Sequence, residues 1–338
     1  MTPQRRLVRP PRLRTEHGPE AGRRVTWLEL FFDLVFVAAV AQVGTHLRDD
    51  YSLHGLARFT LLFVLIWWAW LGHTTYSTRF DTDDLVQRGL TLLQMFLVAV
   101  MAINATSALD SRDSAGFAAA YAAMRLVLVV QFLRASYDRR ARGLALRYAT
   151  SCGIAAALWL TSALLPVPVR YIAWALALLI DVGTPLLTVR HIIRVPHDAV
   201  HLPERYGLFS IILLGEAMVA VMTGMSHQEF WSLGAASAAI LGMLLIFSIW
   251  WSYFDIVKAV DERHVRSARD AWRFHVWTYT HVPLYLGIAV TGVGLEHVIT
   301  SATKAPLRAE EVGVLCAAIA TVALALGVIA ATRERGGQ

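Results

Sequence analysis

Cysteine is almost absent from this chain. Cys152 and Cys316 are the only two in 338 residues, and both sit in apolar stretches. They provide neither a disulfide framework nor a zinc spacing, and are read as small packing residues. Charge is also scarce: 17% of the residues are Asp, Glu, Lys or Arg, against about 25% in a soluble domain. The G-x-S-x-G elbow, the H-E-x-x-H zinc helix and the phosphate-binding P-loop do not occur either. A disulfide-stapled secreted domain is excluded. No catalytic residue, metal ligand or cofactor is assigned, and the expectation is a protein that is not an enzyme.

What the chain has in excess is apolar sequence, 56% hydrophobic with a mean hydropathy of +0.50. It falls into ten blocks of the length that crosses a hydrocarbon core of about 30 Å: 25–47, 58–79, 85–107, 114–137, 145–165, 170–190, 206–225, 231–256, 272–299 and 310–331. The blocks are long, rich in Leu, Ala and Val, and lack the short alternating pattern of a membrane barrel, so helices are expected. Pro166, Pro168, Pro196, Pro203 and Pro306 are assigned to connections, where a missing N–H costs little. Pro185 and Pro283 lie inside blocks and predict kinks. The fold class is all-α: a polytopic transmembrane helix bundle of about ten helices over 25–331.

Basic residues set the orientation. With the N-terminus inside, 24 of the 31 Lys and Arg fall on the inner side. Six fall outside (Arg48, Arg58, Arg112, Arg170, Lys304 and Arg308), and Arg125 is left within a helix. Both termini are therefore expected in the cytoplasm. Residues 1–24, with seven Arg, read as a basic, disordered tail resting on anionic lipid, and 332–338 as a second cytoplasmic tail. Nothing aromatic or folded accompanies the basic tail, so no nucleic-acid partner is expected. Ala39-Val40-Ala41 resembles a signal-peptide cleavage site. Glu29 and Asp33 inside the apolar region, and its continuation to Leu47, make the first block a retained helix.

Polar groups at membrane depth are the informative residues. Thr26-Trp27-Leu28-Glu29 matches a capping box, which gives Glu29 a local structural role. Asp33 lies one turn deeper on the same face, about 12 Å in, and no cap explains it. Asp181, Glu216 and Arg125 are near mid-block, where each charge costs about 2.5–3.5 kcal/mol to insert. One base against three acids leaves two readings. Either Arg125 forms a buried ion pair that fixes packing, or an acid takes part in proton or cation handling. Glu216 is expected to face the bundle interior, either beside Arg125 as an ion-pair anchor or in a polar cavity as a proton or cation site. Gly215 before it is expected to let a neighbouring helix approach closely.

His197 and His201 form an H-x-x-x-H spacing, but the remaining histidines are scattered and no second box exists, so no metal site is assigned. An internal repeat is also expected. IWWAW from Ile66 resembles IWWSY from Ile249, so blocks 7–10 would repeat blocks 1–4 (25–190 against 204–331) in the same orientation.

VTWLELFFDLVFVAAVAQV at 25–43, IWWAW…TRFD at 66–81 and HLPERYGLFSIILLGE at 201–216 together resemble the low temperature requirement protein A (LtrA) family. Glu29, Phe31, Phe32 and Asp33 match its first motif; His201, Glu204, Arg205, Gly207, Gly215 and Glu216 match its second. The resemblance implies a bacterial multi-pass protein of the inner (cytoplasmic) membrane, with the lipid bilayer as its surroundings. Three functional classes remain open. The first is a transporter or channel handling protons or a small cation through buried acids. The second is a non-catalytic membrane factor supporting growth at low temperature, and the third an intramembrane lipid enzyme. Neither substrate nor oligomeric state is legible.

Overall fold

The computed structural model describes residues 10–14, 25–81, 84–109, 114–195, 197–228, 230, 232–258, 265–302 and 306–332. Most of the N-terminal tail, the C-terminal tail after Thr332, and the loop residues Arg112, Pro196, Arg263, His264 and Lys304 lie outside them. Eleven helices are found among the described residues: α1 Trp27–Asp49, α2 Leu53–Ser77, α3 Leu85–Ala108, α4 Ala115–Ala135, α5 Arg142–Ser162, α6 Val169–Leu187, α7 Val189–Arg194, α8 His201–Ser226, α9 Leu233–Lys258, α10 Ala268–Ser301 and α11 Ala309–Ala331. All but α7 are long and apolar enough to cross a membrane, giving ten candidate spans.

Helix ends depart from the apolar blocks where charged residues continue a helix into the interface. α8 begins at His201 instead of residue 206, so Arg205 belongs to the helix and not to the preceding loop. Pro203, assigned to a connection, sits in that first turn, where an N–H has no intrahelical partner to lose. Pro185 falls in the last turn of α6, which stops at Leu187 before α7, whereas α10 runs unbroken through Pro283. Asp84 caps α3, its side chain accepting from the Gln87 N–H at 2.7 Å. Within the expected disordered tail, Arg12–Leu13 (β1) pairs antiparallel with Phe80–Asp81 (β2). An extended tail segment can satisfy its backbone there, beside the end of α2.

The chain divides into two compact units. The first comprises Met1–Ala39, Leu65–Arg205 and Arg263–Trp272. In it α4 packs against α3 and α5, and α5 against α6, around a fully buried Trp159 whose ring lies tilted against Tyr121 and Trp174 at centroid distances of 4.3 and 4.7 Å. The second comprises Val40–Val64, Tyr206–Glu262 and Arg273–Gln338. Its core gathers Tyr206, Trp277, His281 and Tyr285, the Tyr285 hydroxyl donating to the Tyr206 carbonyl at 2.7 Å. Small residues allow close helix approach in it: a Cβ added at Gly292 of α10 would come within 2.9 Å of the Ala217 Cα on α8. α9 leaves Leu241, Leu244, Phe247 and Trp251 exposed, as a lipid-facing surface requires.

Candidate functional site

The first unit holds two buried charge clusters. Glu29 and Asp33 stand one turn apart on α1, and His201 and Arg205 one turn apart on α8, so each pair presents one helix face. Arg205 is fully buried. Its Nε donates to Asp33 Oδ2 at 2.9 Å and its Nη2 to Asp33 Oδ1 at 2.6 Å, a bidentate fork. Trp70 Nε1 of α2 donates to the same Oδ1 at 2.6 Å. Ser77 and Thr74 hydroxyls lie 3.4 and 3.5 Å from the guanidinium, and the Phe32 ring centroid is 5.9 Å from its Cζ.

One turn nearer the helix ends, Glu29 completes the expected capping box. Its carboxylate accepts from the Thr26 N–H and hydroxyl at 2.8 and 2.9 Å, and its own N–H reaches Thr26 Oγ1 at 3.3 Å. The same carboxylate also lies 3.5 Å from Arg205 Nη1 and 3.4 Å from His201 Nε2. Arg14 Nη1 is 2.7 Å from His201 Nδ1. A guanidinium only donates, so Nδ1 accepts and the imidazole proton is assigned to Nε2, facing Glu29. Arg205 thus faces both carboxylates, and Arg14 joins the cluster through His201.

The second cluster joins α4 to α6. Arg125 Nε is 3.1 Å from Asp181 Oδ2, and Arg125 Nη2 donates to the Tyr121 hydroxyl at 2.5 Å. Gly72 makes room for this guanidinium, since a Cβ there would stand 3.0 Å from Arg125 Nη1. Of the two places expected for Glu216, the one beside Arg125 is thereby corrected. Asp181 takes that place, because it lies on the helix that α5 brings alongside, whereas Glu216 belongs to the second unit. The count of one base against three acids is corrected too: Arg205, assigned to a loop, is the buried partner of Asp33.

In the second unit Glu216 is half-buried on α8, with no hydrogen-bond or ion-pair partner among the described residues. It lines a cavity of about 30 Å³ together with Arg48, Phe59, Leu213, Ala217 and Gly292. That volume is about the room one water needs. Arg48 instead pairs with Glu296 of α10 at 2.9 Å. Gly215 is not the site of close approach that was expected. It is exposed, and a Cβ there would meet nothing within 4 Å.

Among the remaining motif residues, Phe32 is buried and Phe31 is 51% exposed. Glu204 stands in the first turn of α8, and Gly207 faces the Phe254 ring at 3.5 Å from a built Cβ. Sequence reasoning missed Trp70, Arg14 and the Arg48–Glu296 pair as participants. The spacing of His201 and Arg205, which mirrors that of Glu29 and Asp33, was the available signal.

These features define an integral membrane protein of ten candidate spans, held by arginine–carboxylate pairs inside its helices. The chain belongs to the bacterial low temperature requirement A protein (LtrA) family, whose pattern residues 24–338 match. It is similar to Uncharacterized protein RA0937 of Rhizobium meliloti (strain 1021), 32% identical over 292 residues that cover 80% of this chain and 68% of that protein. No solved structure matches it.

Proposed function

We propose that the protein moves protons, or a small cation, across the bacterial inner membrane, with Glu216 as the group that binds and releases the ion. The observation that carries this reading is the contrast in partners. Asp33 and Asp181 are each held by an arginine, and Glu296 by Arg48, while Glu216 has none and lines a small cavity. Arg48, which lines the same cavity, is paired with Glu296. A carboxylate at membrane depth without a guanidinium bound to it is most cheaply kept neutral, which requires a proton or a bound cation. A volume near that of one water suits a proton or a bare ion and no larger solute. In the same reading the arginine–carboxylate pairs are scaffold, because a fixed bidentate pair exchanges its proton poorly.

Solid-supported membrane electrophysiology on proteoliposomes tests this. A pH jump is expected to give a current absent from protein-free membranes. Na⁺ or K⁺ jumps at constant pH identify the cation alternative. No current under any of these jumps favours the second reading, a non-transporting membrane factor. The closed Asp33–Arg205 and Asp181–Arg125 pairs are what speak for it.

A further inference from the structure

In the first unit, the antiparallel helices α5 and α6 leave an open groove of about 940 Å³ between them. This is near the upper end of the range for ligand sites, about 300–1,000 Å³. Its lining changes character along its length. The hydrogen bond between the Ser151 and Thr184 hydroxyls fixes the register of the two helices. On one side of that bond the walls are apolar, formed by Ile154, Leu158, Leu176 and Leu179. On the other side lie Thr150 and Thr188, and then Arg147 of α5 and His191 of α7. Among the described residues no Asp or Glu lines the groove. Arg147 and Arg194 are exposed, and partial burial together with these two guanidiniums lowers the His191 pKa below its usual value. Positive charge is crowded here with no carboxylate in the lining to relieve it. The distribution of basic residues assigns this end to the cytoplasmic side.

We propose that this groove is a binding site for one anionic phospholipid of the inner leaflet, its acyl chains along α5 and α6 and its phosphate at Arg147 and His191. An apolar trough open to the bilayer, ending in bases and hydroxyls at interfacial depth, matches a phospholipid in polarity order and in charge. A second protein helix would fill the trough but leave the basic end without an anion. A free phosphate would satisfy the bases and leave the trough empty.

Native mass spectrometry of the full-length protein in detergent tests the site. Dioleoyl phosphatidylglycerol and dioleoyl phosphatidylcholine are offered in equal amounts, which separates headgroup charge from chain binding. The wild type is expected to retain one phosphatidylglycerol with a preference of about tenfold, or 1.4 kcal/mol. Arg147→Gln with His191→Gln is expected to remove the preference, while Arg269→Gln, an exposed base of α10 outside the groove lining, leaves it intact. Leu179→Trp, which narrows the trough without touching the charge, is expected to lower retention of both lipids. Equal retention of the two lipids by the wild type would overturn the site. So would a preference that survives the double substitution, or one lost equally in Arg269→Gln. Displacement of the lipid by inorganic phosphate alone, or a dimer in which lipid is absent, would also contradict it.

Discussion

Asp33 and Glu216 are both carboxylates set in apolar helices, one in each unit, and their surroundings differ completely. Asp33 receives three hydrogen bonds from Arg205 and Trp70 and is fully buried. Glu216 receives none, is half-buried, and faces small residues and a cavity. The difference lies in neighbours, not in the residue. Around Asp33 the helices supply a guanidinium, an indole N–H and hydroxyls at matching heights. Around Glu216 they supply Ala217, Ala220 and Gly292, and the nearby Arg48 is paired with Glu296. An acid with its full complement of donors is a fastening, whereas an acid facing space can bind and release an ion.

Breaking the fastening should give the largest effect on stability. Arg205→Met leaves Asp33 and Glu29 buried without their shared cation, a loss of about 3–5 kcal/mol. It would be read as a fall in detergent melting temperature, and adding Asp33→Asn should recover part of it. Arg125→Met should cost about 3 kcal/mol, at the lower end of the same range, since Asp181 meets this arginine through one contact at 3.1 Å. Asp181→Asn added to it should again recover part of the loss. If either double substitution is as unstable as the sum of its singles, the two residues are not coupled.

A finer test keeps both charges and removes one donor. Trp70→Phe should cost about 2 kcal/mol, the worth of a hydrogen bond to a charged group, in the same melting assay. Glu29→Gln should cost about 1 kcal/mol, because an amide oxygen can still accept from Thr26. A larger loss there would mean that the Arg205 and His201 contacts, not the cap, are the main role of Glu29.

The fold was largely legible because a bilayer imposes length and polarity on every span. The ten blocks correspond to the ten long helices with shifted ends, and the short α7 is an addition after the sixth. The site was half legible. Asp33, Asp181, Glu216 and Arg125 stood out because charge in an apolar run is rare. Their pairing was not readable, since it depends on which helices become neighbours; Arg125 went to Asp181 and not to Glu216. Arg205 was hidden for a different reason. A hydropathy window trims charged residues from helix ends and so placed this arginine in a loop. The two tryptophan motifs show the same limit. Trp67 is fully buried and Trp70 donates to Asp33, while Trp250 and Trp251 are 39% and 55% exposed. The tryptophan pairs of the two motifs thus occupy different environments, although Trp70 and Tyr253 at their ends are both buried.

The comparison of Asp33 with Glu216 turns on whether the unpartnered acid carries the ion. Proton uptake into proteoliposomes, driven by a potassium diffusion potential and followed with an internal pH indicator, measures this for wild type and Glu216→Gln side by side. Because Glu216 makes no direct hydrogen bond or ion pair among the described residues, the substitution should change stability by no more than about 0.5 kcal/mol. The expected result is uptake by the wild type and none above protein-free liposomes for Glu216→Gln, at matched melting temperature and incorporation. Uptake that is undiminished in Glu216→Gln would contradict the account.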